Sequence, residues 1–248
     1  MVGRCGPRLA AAGGRSISVP RAAGGGLPCA GWRPLRGYDA VVTPDAPFPP
    51  PTPSDLGDRE VPRDGSLLDG RRVALLVTGG IAAFKAPLVA RALRRQGALV
   101  TAFASSEALR YVTQEVLEWS TARPAVVALT AHAEHLSDDA PFDAYLVAPA
   151  TYNTIGKMAA GVADGAVTAA LASALGRMQQ GRAAVLVAPT MHGSMHTAIL
   201  ERNLSLLAEL GVRVIRPRDD YGKHNLPQES VLVEEVAAAL AAQRRTRT

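Results

Sequence analysis

Cysteine is almost absent from this 248-residue chain. There are two, Cys5 and Cys29, and both lie in the first thirty residues. Residues 70–248 therefore cannot form a disulfide framework among themselves or supply a thiol of their own. Long apolar runs are missing too. None reaches the roughly 18 residues that a membrane-spanning helix needs, so no membrane partner is expected. Acids are missing from residues 1–38, which hold six Arg. With a formal total of +5, those six leave residues 39–248 at −1. The sequence pI of about 9.6 is thus the property of one end of the chain. The body has no excess of phosphate-neutralising charge, which excludes a nucleic-acid partner.

What is present divides at about residue 70. The first forty residues are rich in Gly, Ala and Arg, and the stretch Val41–Pro62 carries seven Pro. Such a composition favours extended, solvated chain over a core. Residues 1–69 are therefore read as a disordered extension. An acid-free, Arg-rich start also fits an organellar transit peptide, the alternative to the expected cytoplasmic location. From Arg71 the pattern changes. RRVALLVTGG is a continuous apolar run closed by two glycines, as in a strand buried on both faces. IAAFKAPLVARALRRQG reads as an amphipathic helix with Gly97 as its stop signal. ALVTAFASS is a second strand, and SEALRYVTQEVLEWS a second helix capped by Ser105 or Ser106. AVVALT (125–130) and DAYLVAPA (143–150) read as strands. TYNTIGKMAAGVADGAVTAALASAL is helical with a break around Gly161–Gly165. RAAVLVAP, a helix through TAILERNLSLLAELG, the short strand VRVI and a last helix VLVEEVAAALAAQRR follow. This alternation predicts an α/β fold, a Rossmann-like doubly wound parallel sheet forming a single domain over residues 70–248.

In such sheets ligands bind beyond the carboxyl ends of the strands. The first loop there is TGGIAAFKA (78–86). Its glycines let the backbone approach a ligand, and a helix amino end attracts an anion. It is not GxGxxG, and no acid stands about 20 residues on to hold a ribose; Ser105-Ser106 occupy that position. Hydroxyls there suit a phosphate, so the loops favour a mononucleotide such as FMN over NAD. The loop APATYNTIGKMAAGVADG sets Thr151, Asn153 and Thr154 after a strand. Capping the next helix explains one of them. An amide and small residues without charge also suit the edge and face of a flat heteroaromatic ring.

These loops closely resemble the flavoprotein family of homo-oligomeric, flavin-containing cysteine decarboxylases, of which phosphopantothenoylcysteine decarboxylase is the best-known type. The likeness covers about residues 71–217. TGGIAAFKA resembles the family's first FMN loop, and APATYNTIGKMAAGVADG its PASANT-type segment. EHLSDDAPFDAYLVAPA resembles its active-site histidine segment, and APTMHGSMH its substrate-binding Pro-x-Met-Asn-x-x-Met motif. The resemblance implies FMN near Gly79, Gly80, Ile81, Ser105, Thr151 and Asn153, with His135 as the catalytic histidine. Without it, His135 reads as a solvated residue before a strand; with it, the imidazole gains a use as a proton acceptor or donor. Met191, His192 and Met195 fall on the substrate side. The resemblance further implies a homo-trimer or higher multiple, a cysteinyl phosphate compound as the small-molecule substrate, and a role in coenzyme A biosynthesis. In the decarboxylases the flavin oxidises a cysteinyl thiol, and the resulting thioaldehyde is the electron sink for loss of carbon dioxide.

Two departures stand out. His192 occupies the position of the motif's asparagine, which holds the substrate carboxylate. A ground state held too tightly slows decarboxylation, so this exchange is not neutral. The family's clamp cysteine has no counterpart in RPRDDYGKHNLPQES (216–230), although Lys223 there can meet a phosphate or carboxylate. A metal is the remaining use for the Met/His cluster, since His192 and His196 are spaced i, i+4. No third ligand is evident, and no metal is expected. Three readings stand: an FMN-dependent decarboxylase (a lyase), an FMN-dependent oxidoreductase of pterin or quinone reductase type, and a catalytically silent flavin-binding subunit.

Overall fold

The computed structural model describes residues 52–136 and 140–245; the Arg-rich start, with its extension and transit-peptide readings, lies outside them. The apolar run after Arg71 forms β1, Arg72–Val77, buried on both faces beyond its first residue. A 3-10 turn, Ile81–Lys85, leads into α1, Ala86–Arg95, with Pro87 in its first turn. Gly97 takes the left-handed backbone (φ 90°) that ends the helix, the role its sequence position predicts. Next come β2, Leu99–Ala104, and α2, Gln114–Thr121. β3 is Ala144–Ala150, α3 Tyr152–Ala159, α4 Ala166–Gln179 and β4 Ala184–Pro189. A two-residue strand β5, Met191–His192, precedes α5, Ala198–Glu209, and β6, Arg213–Val214. β7, Arg218–Asp220, β8, Lys223–Asn225, and α6, Glu229–Arg245, complete the chain.

The main sheet is parallel throughout, in the order β2-β1-β3-β4-β6. This is the flavodoxin-like arrangement, in which the chain reverses direction across the sheet at β1/β3. Alternate side chains of β1 feed two cores. Val73, Leu75 and Val77 join Val89, Leu93 and Val236 from α1 and α6. Ala74 and Leu76 join Ile155, Leu171 and Leu207 from α3, α4 and α5. Both faces are covered, which is why the strands read as continuous apolar runs rather than alternating ones. Among the described residues, no helix is long and apolar enough to cross a membrane.

Three expectations are revised, and one element is added. AVVALT is not a full strand. Only Val126 bridges β2, donating to Ala102 O (2.8 Å) and accepting from Ala104 N (3.0 Å). The stretch follows Pro124 at the sheet edge, and its remaining residues turn away. Second, SEALRYVTQEVLEWS is two elements. The Ser105 hydroxyl accepts from Ala108 N (3.2 Å) at a 3-10 turn, while Thr113, after the Val112 break, caps α2 through Val116 N (3.4 Å). Third, the chain is packed before residue 70. Asp64 N–H donates to Arg95 O (3.0 Å), Leu68 N–H donates to Gln96 O (2.9 Å), and the Leu68 side chain is fully buried. Finally, residues 218–225 form a hairpin that pairs with β5 in a second, antiparallel sheet, β5-β8-β7.

Candidate functional site

The switch point at β1/β3 is where a crevice opens, and one buried hydroxyl joins its two sides. Thr78, at the end of β1, donates to Pro149 O (2.7 Å) and accepts from Thr151 N (3.2 Å). Gly79 is required by close approach: a Cβ there would lie 2.3 Å from Glu107 Cβ and 3.0 Å from the Glu107 carbonyl carbon. The loop after β1 can therefore rest on the loop after β2 only if residue 79 has no side chain. Thr151 N-caps α3 through Thr154 N (3.4 Å), as its position predicts.

Above these loops is a cleft of about 910 Å3, within the usual range for small-molecule and cofactor sites. Gly79, Ser105, Ser106, Thr151, Asn153 and Thr154 form its floor, and Ala166–Ala169 at the start of α4 form a second wall. The chain that left the β2 ladder, Val127–Leu129, closes a third side. The Asn153 side chain makes no hydrogen bond among the described residues, so its amide is available to a ligand. α4 starts without a side-chain cap. The amino ends of α3 and α4 both border the cleft and favour an anion. On its rim Lys157 Nζ donates to Asp164 Oδ2 (2.6 Å), and Thr168 donates to Asp164 Oδ1 (3.2 Å). These bonds, chiefly that from Lys157, hold the Asp164 carboxyl below its ordinary range.

The family model described as Flavoprotein matches residues 63–241. The chain belongs to the flavoprotein family. This flavoprotein is 33% identical over 178 residues to the coenzyme A biosynthesis bifunctional protein CoaBC of Thermococcus kodakarensis, covering 70% of this chain and 43% of that one. It is 34% identical over 163 residues to the CoaBC of Bacillus subtilis, covering 62% and 38%. It thus spans less than half the length of these curated relatives. Among solved structures, the FMN-dependent cysteine decarboxylase SpaF superposes with a TM-score of 0.61 at 23% identity, over 71% of this chain and 99% of that one. A PPC decarboxylase variant complexed with pantothenoylaminoethenethiol superposes with a TM-score of 0.55 at 24% identity, over 68% and 97%. Both share its fold.

The flavoprotein brings Gly79, Ser105, Thr151, Asn153 and Met195 to one cleft. Gly80 stands against Thr151, whose Cγ2 lies 3.2 Å from where a Cβ would be. Ile81 points to solvent, 71% exposed. His135 sits half-buried in the turn after the Thr130–Glu134 staple, outside the cleft wall, with Nδ1 buried and unpartnered among the described residues. Met191 and His192 lie on β5, with His192 opposite Lys223 of β8. The i, i+4 pair His192 and His196 does not share a helix face, because a strand and a 3-10 turn intervene. Sequence reasoning missed Lys157, Asp164 and the 127–129 wall. Lys157 and Asp164 are seven apart across a helix break, a spacing with no fixed contact until the break is folded.

Proposed function

We propose that the cleft binds FMN and that the protein is an FMN-dependent decarboxylase of a cysteinyl phosphate compound, acting in coenzyme A biosynthesis. The observation that carries this is the convergence of three loops, after β1, β2 and β3, on one cleft at the switch point, where mononucleotides bind in this topology. The residues present fit the group. Gly79 keeps the floor low, the Ser105–Ser106 hydroxyls and the helix ends take the phosphate, and Thr151 and Asn153 meet the ring edge. The bound flavin supplies two-electron oxidation of a thiol. Met195 closes the substrate side, Met191 on β5 is buried in the core, and Lys223, on the hairpin outside the cleft wall, meets the substrate phosphate.

His192 bears on the departure from the family motif. Its Nδ1 accepts from the Ser194 N–H (3.1 Å) and faces the Ser194 hydroxyl (2.7 Å). In the neutral ring the proton is then on Nε2, and His192 offers one outward N–H where an asparagine offers its amide. That donor binds a carboxylate without adding a full charge, which keeps the ground state from being held too tightly. His135, which stands outside the wall of the cleft, is given by the family resemblance the role of holding or moving the proton of the substrate thiol. The test is incubation with phosphopantothenoylcysteine and detection of carbon dioxide, with flavin absorbance measured on the same sample. His135→Ala is expected to keep full flavin and lose at least about 100-fold in turnover; unchanged turnover removes the histidine from the mechanism.

A second reading is favoured by the cysteine-free body. With no thiol in residues 70–248, a reductive step on the product lacks an enzyme thiol, and an FMN-dependent oxidoreductase needs none. Flavin reduction by a nicotinamide donor without carbon dioxide release supports it. A homo-trimer or higher multiple is also part of the proposal. Ile81, Phe84 and Leu88 are 71%, 55% and 54% exposed on one strip beside the Gly79-Gly80 loop, the kind of apolar surface a subunit interface covers. A cytoplasmic location accords with the absence of cysteine from residues 70–248. Residues from about Asp64 onward make up the flavin-binding domain, and those before it an extension.

A further inference from the structure

Away from the cleft floor, four side chains form one line between α5 and the small sheet. Glu201 Oε1 lies 2.9 Å from His196 Nε2. His196 Nδ1 lies 2.8 Å from His224 Nε2, and His224 Nδ1 lies 2.7 Å from Asp219 Oδ1. Each contact needs one hydrogen. An ionised carboxylate only accepts, so the outer nitrogens of both rings carry protons. The central contact then needs a third proton, on one of the two inner nitrogens. Two neutral imidazoles bring only two protons; two charged ones bring four, and then two N–H groups face each other at 2.8 Å. Only a pair sharing one positive charge satisfies the whole line.

The line is placed to matter. His196 directly follows Met195, which lines the cleft, and the next residue, Thr197, bonds Tyr152 of the cleft wall at 3.1 Å. His224 belongs to the hairpin, whose tip carbonyl, Gly222 O, accepts from Gly193 N (3.0 Å). The groups facing the pair are Glu201 from α5, Asp219 and Asp220 from β7, Tyr221 from the turn and Lys223 from β8, with His192 of β5 opposite Lys223. We propose that His196 and His224 are a positioning pair that latches the 218–225 hairpin to the Met195 turn when the two rings together hold one extra proton, so that the mouth of the cleft is set by pH. The latch closes over a middle range of pH and opens on either side of it. The inference rests on this hydrogen-bond geometry and not on the identity of the cofactor.

The test is hydrogen exchange of the full-length chain, followed by mass spectrometry over a pH series and corrected for intrinsic exchange chemistry. Protection of the segments 190–197 and 216–226 is expected to peak at intermediate pH and to fall several-fold on both sides. His224→Ala is expected to give low protection there at every pH. Glu201→Gln separates a proton count from a merely structural contact. Its side-chain amide donates to His196 Nε2, so a neutral pair then satisfies the line, and protection is expected to persist to alkaline pH. A monotonic or flat profile in the unsubstituted chain overturns the proposal, and so does an alkaline fall that Glu201→Gln leaves in place.

Discussion

Gly79 shows how much a single missing side chain can decide. A methyl group there would meet both the side chain and the backbone of Glu107, and backbone cannot swing aside as a side-chain tip can. Gly79→Ala is expected to cost about 1–3 kcal/mol by overpacking and to weaken flavin uptake, read by thermal melts and by flavin titration. An alanine variant with unaltered melting and uptake would show that the two loops can part freely. Glu134 belongs to the same scale. The Thr130 hydroxyl, followed by the Thr130 N–H, holds its carboxyl at about 2 against an ordinary 4.5. A depressed folded value means the staple contributes fully above the ordinary value and is lost as pH falls from about 4.5 towards about 2. Hydrogen exchange of residues 130–136, the turn that carries His135, should therefore rise through that window. In Glu134→Gln that dependence should vanish. The glycines at 79 and 80 were legible as a strand-to-helix turn, because glycine lets the backbone turn tightly and approach a neighbour closely. That Gly79 answers to Glu107, 28 positions later, was not legible.

Elements were read correctly where both the period and the boundary signals were strong. β1, β3 and β4 are apolar runs ended by Gly or Pro, and the break between α3 and α4 falls at the predicted glycines. AVVALT failed because a short apolar run fits a strand and a cleft wall equally well. Its position at the sheet edge chose the wall. The hairpin 218–225 was missed because RDDYGKHN is polar and lacks an apolar strand pattern, and its pairing with β5 depends on where the chain returns. Leu68 is the opposite error, one buried side chain inside a stretch whose average composition is polar and Pro-rich. Leu68→Ala is expected to cost about 2–5 kcal/mol, measured by urea unfolding of the full chain. A cost well under that range would return residues 64–69 to the extension.

For the whole molecule, exposed apolar surface carries the remaining prediction. Phe84 is half exposed at the centre of the Ile81–Leu88 strip beside the cleft, and in an oligomer a charge there would be desolvated. Sedimentation velocity of the unsubstituted chain should give a mass well above the 25.9 kDa monomer, and Phe84→Asp should shift it to monomer with weaker flavin retention. A monomeric unsubstituted chain would remove the oligomer from the proposed function. The sequence by itself determined the α/β class, the parallel sheet, and the three loops at the carboxyl ends of its strands, because hydrophobic period and glycine placement act over a few residues. It also determined that residues 70–248 have no thiol chemistry of their own, since composition alone settles that. Only the tertiary structure decided that Gly79, Ser105, Thr151, Asn153 and Met195 share one cleft while His135, His192 and Lys223 stand outside its wall. Only it brought Glu201, His196, His224 and Asp219 into one hydrogen-bonded line. Such contacts join positions tens of residues apart, and their geometry exists only once the sheet order and the path of each loop are fixed.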